Sequence, residues 1–204
     1  MMLHLPRRTA LCLPLGLLAR PAAAAPATVR FKVMREGREV GFHRVTVTQD
    51  GTTTRAVAEI EIIVRVMSFT VFSYRVQAQE VWRDGRLVSA DSRSEKKGQP
   101  NSMVVRADAQ GLAFQATGGN GRLPADAAPL TWWRETSMRG PLFDPATGAL
   151  VAAPPRRTPL DGARLRWSVT ADPGGEATYA SPDGAWTGFS TRGEDGSAIV
   201  YQPA

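Results

Sequence analysis

The 204-residue chain has little of what marks a familiar activity. It has one cysteine, Cys12, so no internal disulfide can form and a disulfide-stapled scaffold is excluded. Its two histidines are His4 and His43, and no Cys/His cluster has the spacing of a structural zinc site. No G-x-S-x-G elbow is present. The Gly-rich stretch Gly118-Gly119-Asn120-Gly121 lacks the lysine and the strand-to-helix setting of a phosphate loop. No apolar run is long enough to cross a bilayer as a helix. No segment keeps a helical period over three turns, so little helix is expected. Disorder throughout is excluded as well, because 43% of the residues are hydrophobic.

The first 24 residues predict a signal peptide. Arg7 and Arg8 form a basic start, Ala10–Ala19 a short apolar stretch, and Ala22-Ala23-Ala24 a small-residue cleavage site. Cleavage after Ala24 leaves a single domain of residues 25–204, and the expected destination is the periplasm. Thr9-Ala10 after the arginines favours the general secretory route over twin-arginine export. Arg7, Arg8 and Arg20 leave with the leader, and 22 basic residues then face 19 acidic ones, a net of +3. A mildly basic chain with interspersed signs gives no electrostatic case for nucleic acid.

From residue 29 onward the pattern has a period of two. Ala58, Ile60, Ile62, Val64 and Val66 fall on one face, with Glu59, Glu61 and Arg65 on the other. Phe72, Tyr74, Val76 and Ala78 alternate in the same way with Arg75, Gln77 and Gln79. Asp50-Gly51, Asp84-Gly85, Asp183-Gly184 and Asp195-Gly196 are hairpin signals. Gly118–Pro129 reads as loop, Leu130–Met138 as one or two helical turns, and the proline-rich 140–162 as an irregular connector. The expected fold is all-β: an antiparallel curved sheet or open β-barrel, that is, a half-barrel.

Two polar residues fall on inward faces. His43 shares its face with Val45 and Val47, and Glu80 lies between Ala78 and Trp82. An inward carboxylate is costly unless paired. The pair therefore reads either as a buried hydrogen-bonded contact or as an acid/base couple in a cavity. Adjacent Trp132-Trp133 in a proline-flanked segment reads either as a plug over a barrel end or as an aromatic lip for an apolar ligand. The candidate ligand-binding residues are His43, Tyr74, Glu80, Trp82, Trp132 and Trp133. No catalytic residue, metal or cofactor is assigned.

Six motifs in order carry a resemblance. They are Phe31-x-Val33; Gly41-x-His43; Tyr74-x5-Glu80-x-Trp82-x-Asp84-Gly85-x-Leu87; Pro129-x2-Trp132; Tyr179-x4-Gly184-x-Trp186-x2-Phe189; and Ile199-x-Tyr201. Together the chain resembles an exported bacterial family known as a domain of unknown function, family 6134. One departure is Thr178, where a tryptophan is expected before Tyr179. The architecture is similar to periplasmic half-barrels of the lipoprotein-carrier kind, although architecture alone does not assign function. Three readings follow. The first is a carrier or binding module for an apolar or amphipathic, lipid-like ligand. The second is an envelope scaffold that binds a protein partner. The third is a hydrolase-like enzyme using His43 and Glu80.

Overall fold

The computed structural model describes residues 25–172 and 174–204; the leader predicted over residues 1–24 lies outside them. Eight strands form a first meander: β1 (Ala27–Arg35), β2 (Arg38–Asp50), β3 (Thr53–Val66), β4 (Phe69–Arg83), β5 (Arg86–Lys96), β6 (Gln99–Asp108), β7 (Gly111–Ala116) and β8 (Gly119–Leu123). Five more form a second: β11 (Arg156–Leu160), β12 (Arg164–Val169), β13 (Gly175–Ala180), β14 (Trp186–Arg192) and β15 (Ala198–Pro203). Between them lies a segment with two short strands, β9 (Ala128–Pro129) and β10 (Leu142–Phe143), and a single 3-10 turn, Glu135–Arg139.

The two meanders become one sheet because β1 pairs with β15, from Phe31 opposite Pro203 to Arg35 opposite Ile199. The 13 strands run β11-β12-β13-β14-β15-β1-β2-β3-β4-β5-β6-β7-β8, every pair antiparallel, and the sheet does not close into a barrel. The expected curved, open all-β fold is therefore observed.

Local chemistry explains the hairpins. Glu36-Gly37, Asp84-Gly85 and Lys97-Gly98 each hold two successive residues at positive φ. Two such residues make the tight turn whose twist matches that of the flanking strands. Gly41 is dictated by packing. A Cβ there would lie 1.8 Å from the Glu61 carbonyl oxygen, beside the irregularity between Val33 and Met34.

Three local expectations are corrected. Gly119–Leu123 is a strand rather than loop. It pairs with β7, and Phe114 lies over Gly121 where any side chain would collide with the ring. Within the proline-rich connector, Arg156–Leu160 is an edge strand, and an edge position tolerates Pro159 without an inward N–H. The helical expectation over Leu130–Met138 is met only by the 3-10 turn beginning at Glu135.

The core lies on the concave face, where the 124–155 segment is drawn inside. Phe143, Met138, Leu142 and Leu130 from that segment pack against Phe31, Val33, Val105 and Tyr179 of the sheet, all buried.

Candidate functional site

Alternation along the strands places apolar rows on the concave face, and the curl of the sheet turns those rows into the wall of a cavity. The cavity holds about 1430 Å³, larger than most small-molecule sites. Ala58, Ile60 and Ile62 of β3 and Tyr74, Val76 and Ala78 of β4 form one wall. Tyr201 and Ile199 of β15 and Phe189 of β14 line it as well.

The inserted segment makes its floor. Trp132 is buried at φ +66, packs its ring 4.9 Å from Phe189, and accepts a 2.6 Å hydrogen bond from Tyr179 Oη on its carbonyl. The loop after β10 is held to the wall by Ser92 Oγ donating to the Pro145 carbonyl (3.0 Å) and Asn101 Nδ2 donating to the Ala146 carbonyl (2.8 Å).

Beneath that floor lies Glu80. It is buried, and its Oε2 accepts both Trp82 Nε1 at 2.8 Å and Trp133 Nε1 at 3.0 Å. Burial pushes its pKa above the ordinary carboxylate value, against the opposite pull of hydrogen bonds from Thr131, Trp133 and Trp82. The Arg134 guanidinium stacks 4.3 Å from the Trp82 ring.

A second buried carboxylate repeats the device. Glu135 accepts Trp167 Nε1 at 2.9 Å and pairs with Arg139 at 3.1 Å. Sequence reasoning missed Glu135; the only local signal is an acid four residues before Arg139.

His43 stands in the wall, level with Phe31 of β1 and Ile60 of β3. Its ring meets Trp186 and Tyr201 edge-on, with centroids 5.1 and 5.6 Å apart. Burial lowers its pKa to about 4, so the imidazole is neutral. Its Nδ1 is the one buried side-chain nitrogen or oxygen among the described residues with no hydrogen-bond partner.

The structure distributes the six candidates between two places. His43, Tyr74 and Trp132 line the cavity. Glu80, Trp82 and Trp133 form a network under the floor. His43 and Glu80 do not meet: in register His43 is level with Ile60 and Val76, and Glu80 is four residues further along β4. Four residues of strand span about 13 Å. The acid/base couple therefore has no geometry to support it. The tryptophan pair serves as a plug, with Trp132 also exposed to the cavity.

The opposite end is open, and hairpin turns rim it. Glu194, in the turn between β14 and β15, pairs with Lys96 (2.6 Å) and Lys97 (2.7 Å) at the turn between β5 and β6. Strands β1 to β4 separate these turns in the sheet. Their contact shows how far the sheet curls. The two lysines hold the Glu194 pKa down to about 2. Asp195 beside it pairs with Arg35.

The fold and this geometry define a class: an open antiparallel half-barrel with a plugged floor and an apolar cavity reached from one rim. The chain belongs to the family described as Domain of unknown function (DUF6134), whose model matches residues 31–204. No curated protein and no solved structure matches it. The six motifs of the sequence lie in two clusters. Phe31, His43, Trp186 and Tyr201 pack together in the wall, joined through Phe189 to Trp132, while Glu80 and Trp82 meet under the floor.

Proposed function

We propose that the domain is a non-catalytic binding or carrier module for an apolar or amphipathic, lipid-like ligand, working in the periplasm after export. The observation that supports it is the cavity: about 1430 Å³, with aliphatic and aromatic rows from β3, β4, β14 and β15 on its wall, polar and charged side chains among them, and open at one rim. A folded protein leaves such apolar wall unfilled at a cost, which a ligand of matching character would offset. The basic, apolar and small-residue leader over residues 1–24 supports the location. Polar side chains such as Thr131, Asp144 and Thr191 also line the cavity and suit the polar end of an amphipathic ligand.

The test is native mass spectrometry with lipid extraction on protein purified from a bacterial periplasm, together with titration by the apolar fluorophore N-phenylnaphthylamine. A co-purifying apolar molecule and saturable probe binding are expected. Ala58→Trp, which fills the wall, should weaken probe binding about tenfold, the size of effect carried by a buried aromatic group. A bare mass with no saturable probe binding overturns the reading and moves the weight to a partner-binding scaffold.

A further inference from the structure

The ends of β3 and β4 carry a feature that the cavity does not require. The last β3 residue paired with β2 is Ile62, opposite Gly41. On the other side, Tyr74 opposite Lys96 is the last register pair between β4 and β5. Residues 63–72 therefore form a two-stranded finger with both edges free of neighbouring strands, apart from the turn contact of Lys97 N–H to the Ser73 carbonyl. β2 runs on to Arg38 in its pairing with β1 and Val64 is still buried, so the part that stands clear is the turn end, residues 65–71, all exposed.

Its tip is apolar where water would favour polar side chains. Met67 is 93% exposed, Phe69 74%, and Val66 and Val71 52% each. Val66 faces Phe69 across the ribbon. Exposed apolar residues this dense mark an interaction surface. The row is continuous with the cavity, because Val64, Val71 and Phe72 belong to its lining.

Charge narrows the partner. From Ile62 to Gln79 there is no carboxylate; of the two charges Arg75 is held by Glu61 and Glu95, and Arg65 has no ion-pair partner among the described residues. Beside the finger stand Lys96 and Lys97, with the Lys97 ammonium 5.7 Å from the Phe72 ring. Their shared partner Glu194 neutralises one of the two. The rim at the finger is thus net cationic, while the tip beyond it is apolar.

We propose that this finger docks the half-barrel on an anionic lipid bilayer, its tip at the boundary between headgroups and acyl chains and Arg65, Lys96 and Lys97 at the phosphates. The depth follows from the backbone. Free strand edges carry unpaired N–H and C=O groups that cannot enter hydrocarbon. Insertion therefore stops at the interfacial 5–10 Å known for amphipathic segments, which is roughly the reach of Val66, Met67 and Phe69. A bilayer suits a tip exposed throughout residues 65–71, whereas a folded partner would cover one face. The inference rests on the carrier reading for its purpose: the docked rim would present the cavity mouth to the membrane, and the ligand would pass along Phe72 and Val71.

The test is flotation with vesicles of phosphatidylethanolamine and phosphatidylglycerol, and with vesicles of phosphatidylcholine. Phe69→Cys carries an environment-sensitive label, since residues 25–204 hold no cysteine of their own. The protein should float with the anionic vesicles, several-fold less with phosphatidylcholine, and the label should shift to the blue. The same label at Val57→Cys, exposed on the sheet, should not shift. Met67→Asp combined with Phe69→Asp should lower the bound fraction at least about tenfold, since each side chain contributes apolar area. N-phenylnaphthylamine binding in vesicle-free solution should be unchanged, which also reports an intact fold. Absence of flotation, an unshifted Phe69→Cys label, or a double variant that floats like its parent overturns the docking. Docking without saturable probe binding would instead overturn the carrier reading and leave the finger as a membrane anchor.

Discussion

The floor and the rim of the half-barrel treat their carboxylates in opposite ways. Glu80 and Glu135 are buried and gather indole N–H donors, two on Glu80 and one on Glu135. Glu194 and Asp195 are exposed and gather cations, Lys96, Lys97 and Arg35. A buried acceptor holds its donors firmly because no water can replace it, so removing it leaves unpaired groups. An exposed ion pair exchanges with water and contributes little to stability. The floor therefore carries the stability of an open sheet, and the rim stays free to change.

The strongest way to break this contrast is Glu80→Ala, which orphans the Trp82 and Trp133 indoles. We expect a loss of about 3–5 kcal/mol in urea denaturation, the range for breaking a buried charged network. Glu80→Gln keeps one oxygen for both indoles, since both donate to Oε2, and should cost less than about 1.5 kcal/mol. A near-neutral Glu80→Ala would refute the account of the floor.

Acidity comes next. His43 has a folded pKa of about 4 against 6.5 unfolded, so in that window the unfolded chain binds more protons. Stability present above pH 6.5 is lost as pH falls toward 4, by up to about 3 kcal/mol. His43→Phe should flatten that slope in pH-dependent denaturation. Glu80 works in the other direction: its raised pKa makes stability fall as pH rises above 4.5, and Glu80→Gln should remove that component. Gly41→Ala, forced against the Glu61 carbonyl, should cost about 2 kcal/mol by calorimetry, in the range of overpacked sites. Least of all, Met67→Ser with Phe69→Ser at the rim should stay within about 0.5 kcal/mol per site. A larger loss would mean that the finger packs on the domain.

Much of the floor and wall was legible in the sequence, and the reason is period. A two-residue alternation reports which face each residue takes, so His43, Glu80 and the Tyr74 row were assigned inward from the chain alone. Asp84-Gly85 was legible because its turn needs two residues at positive φ. What alternation cannot report is which distant strand lies alongside. The separation of His43 from Glu80 depends on the register of three strands. The cavity depends on a curl that brings Glu194 to Lys96. The finger is a relation between strand ends, visible only once the β2–β3 and β4–β5 pairings are seen to end at Ile62 and Tyr74. Gly119–Leu123 has the composition of a turn, and pairing with β7 overrides it.

The pairing of β1 with β15 has a kinetic consequence. Most neighbouring strands here are sequence neighbours joined by tight turns, and they can zip locally. The β1–β15 seam instead joins residues as far apart as Phe31 and Pro203. Until that seam forms, Phe31 lacks Trp186 and Tyr201, and β1 presents an open edge to any other chain. Loop closure over such a separation comes before its contacts reward it, so refolding should be slow, milliseconds to seconds, as for other non-local β topologies. Stopped-flow tryptophan fluorescence, compared with that of a Trp186→Phe variant, would time it. During that interval the half-finished sheet, rather than the folded domain, is the species exposed to aggregation.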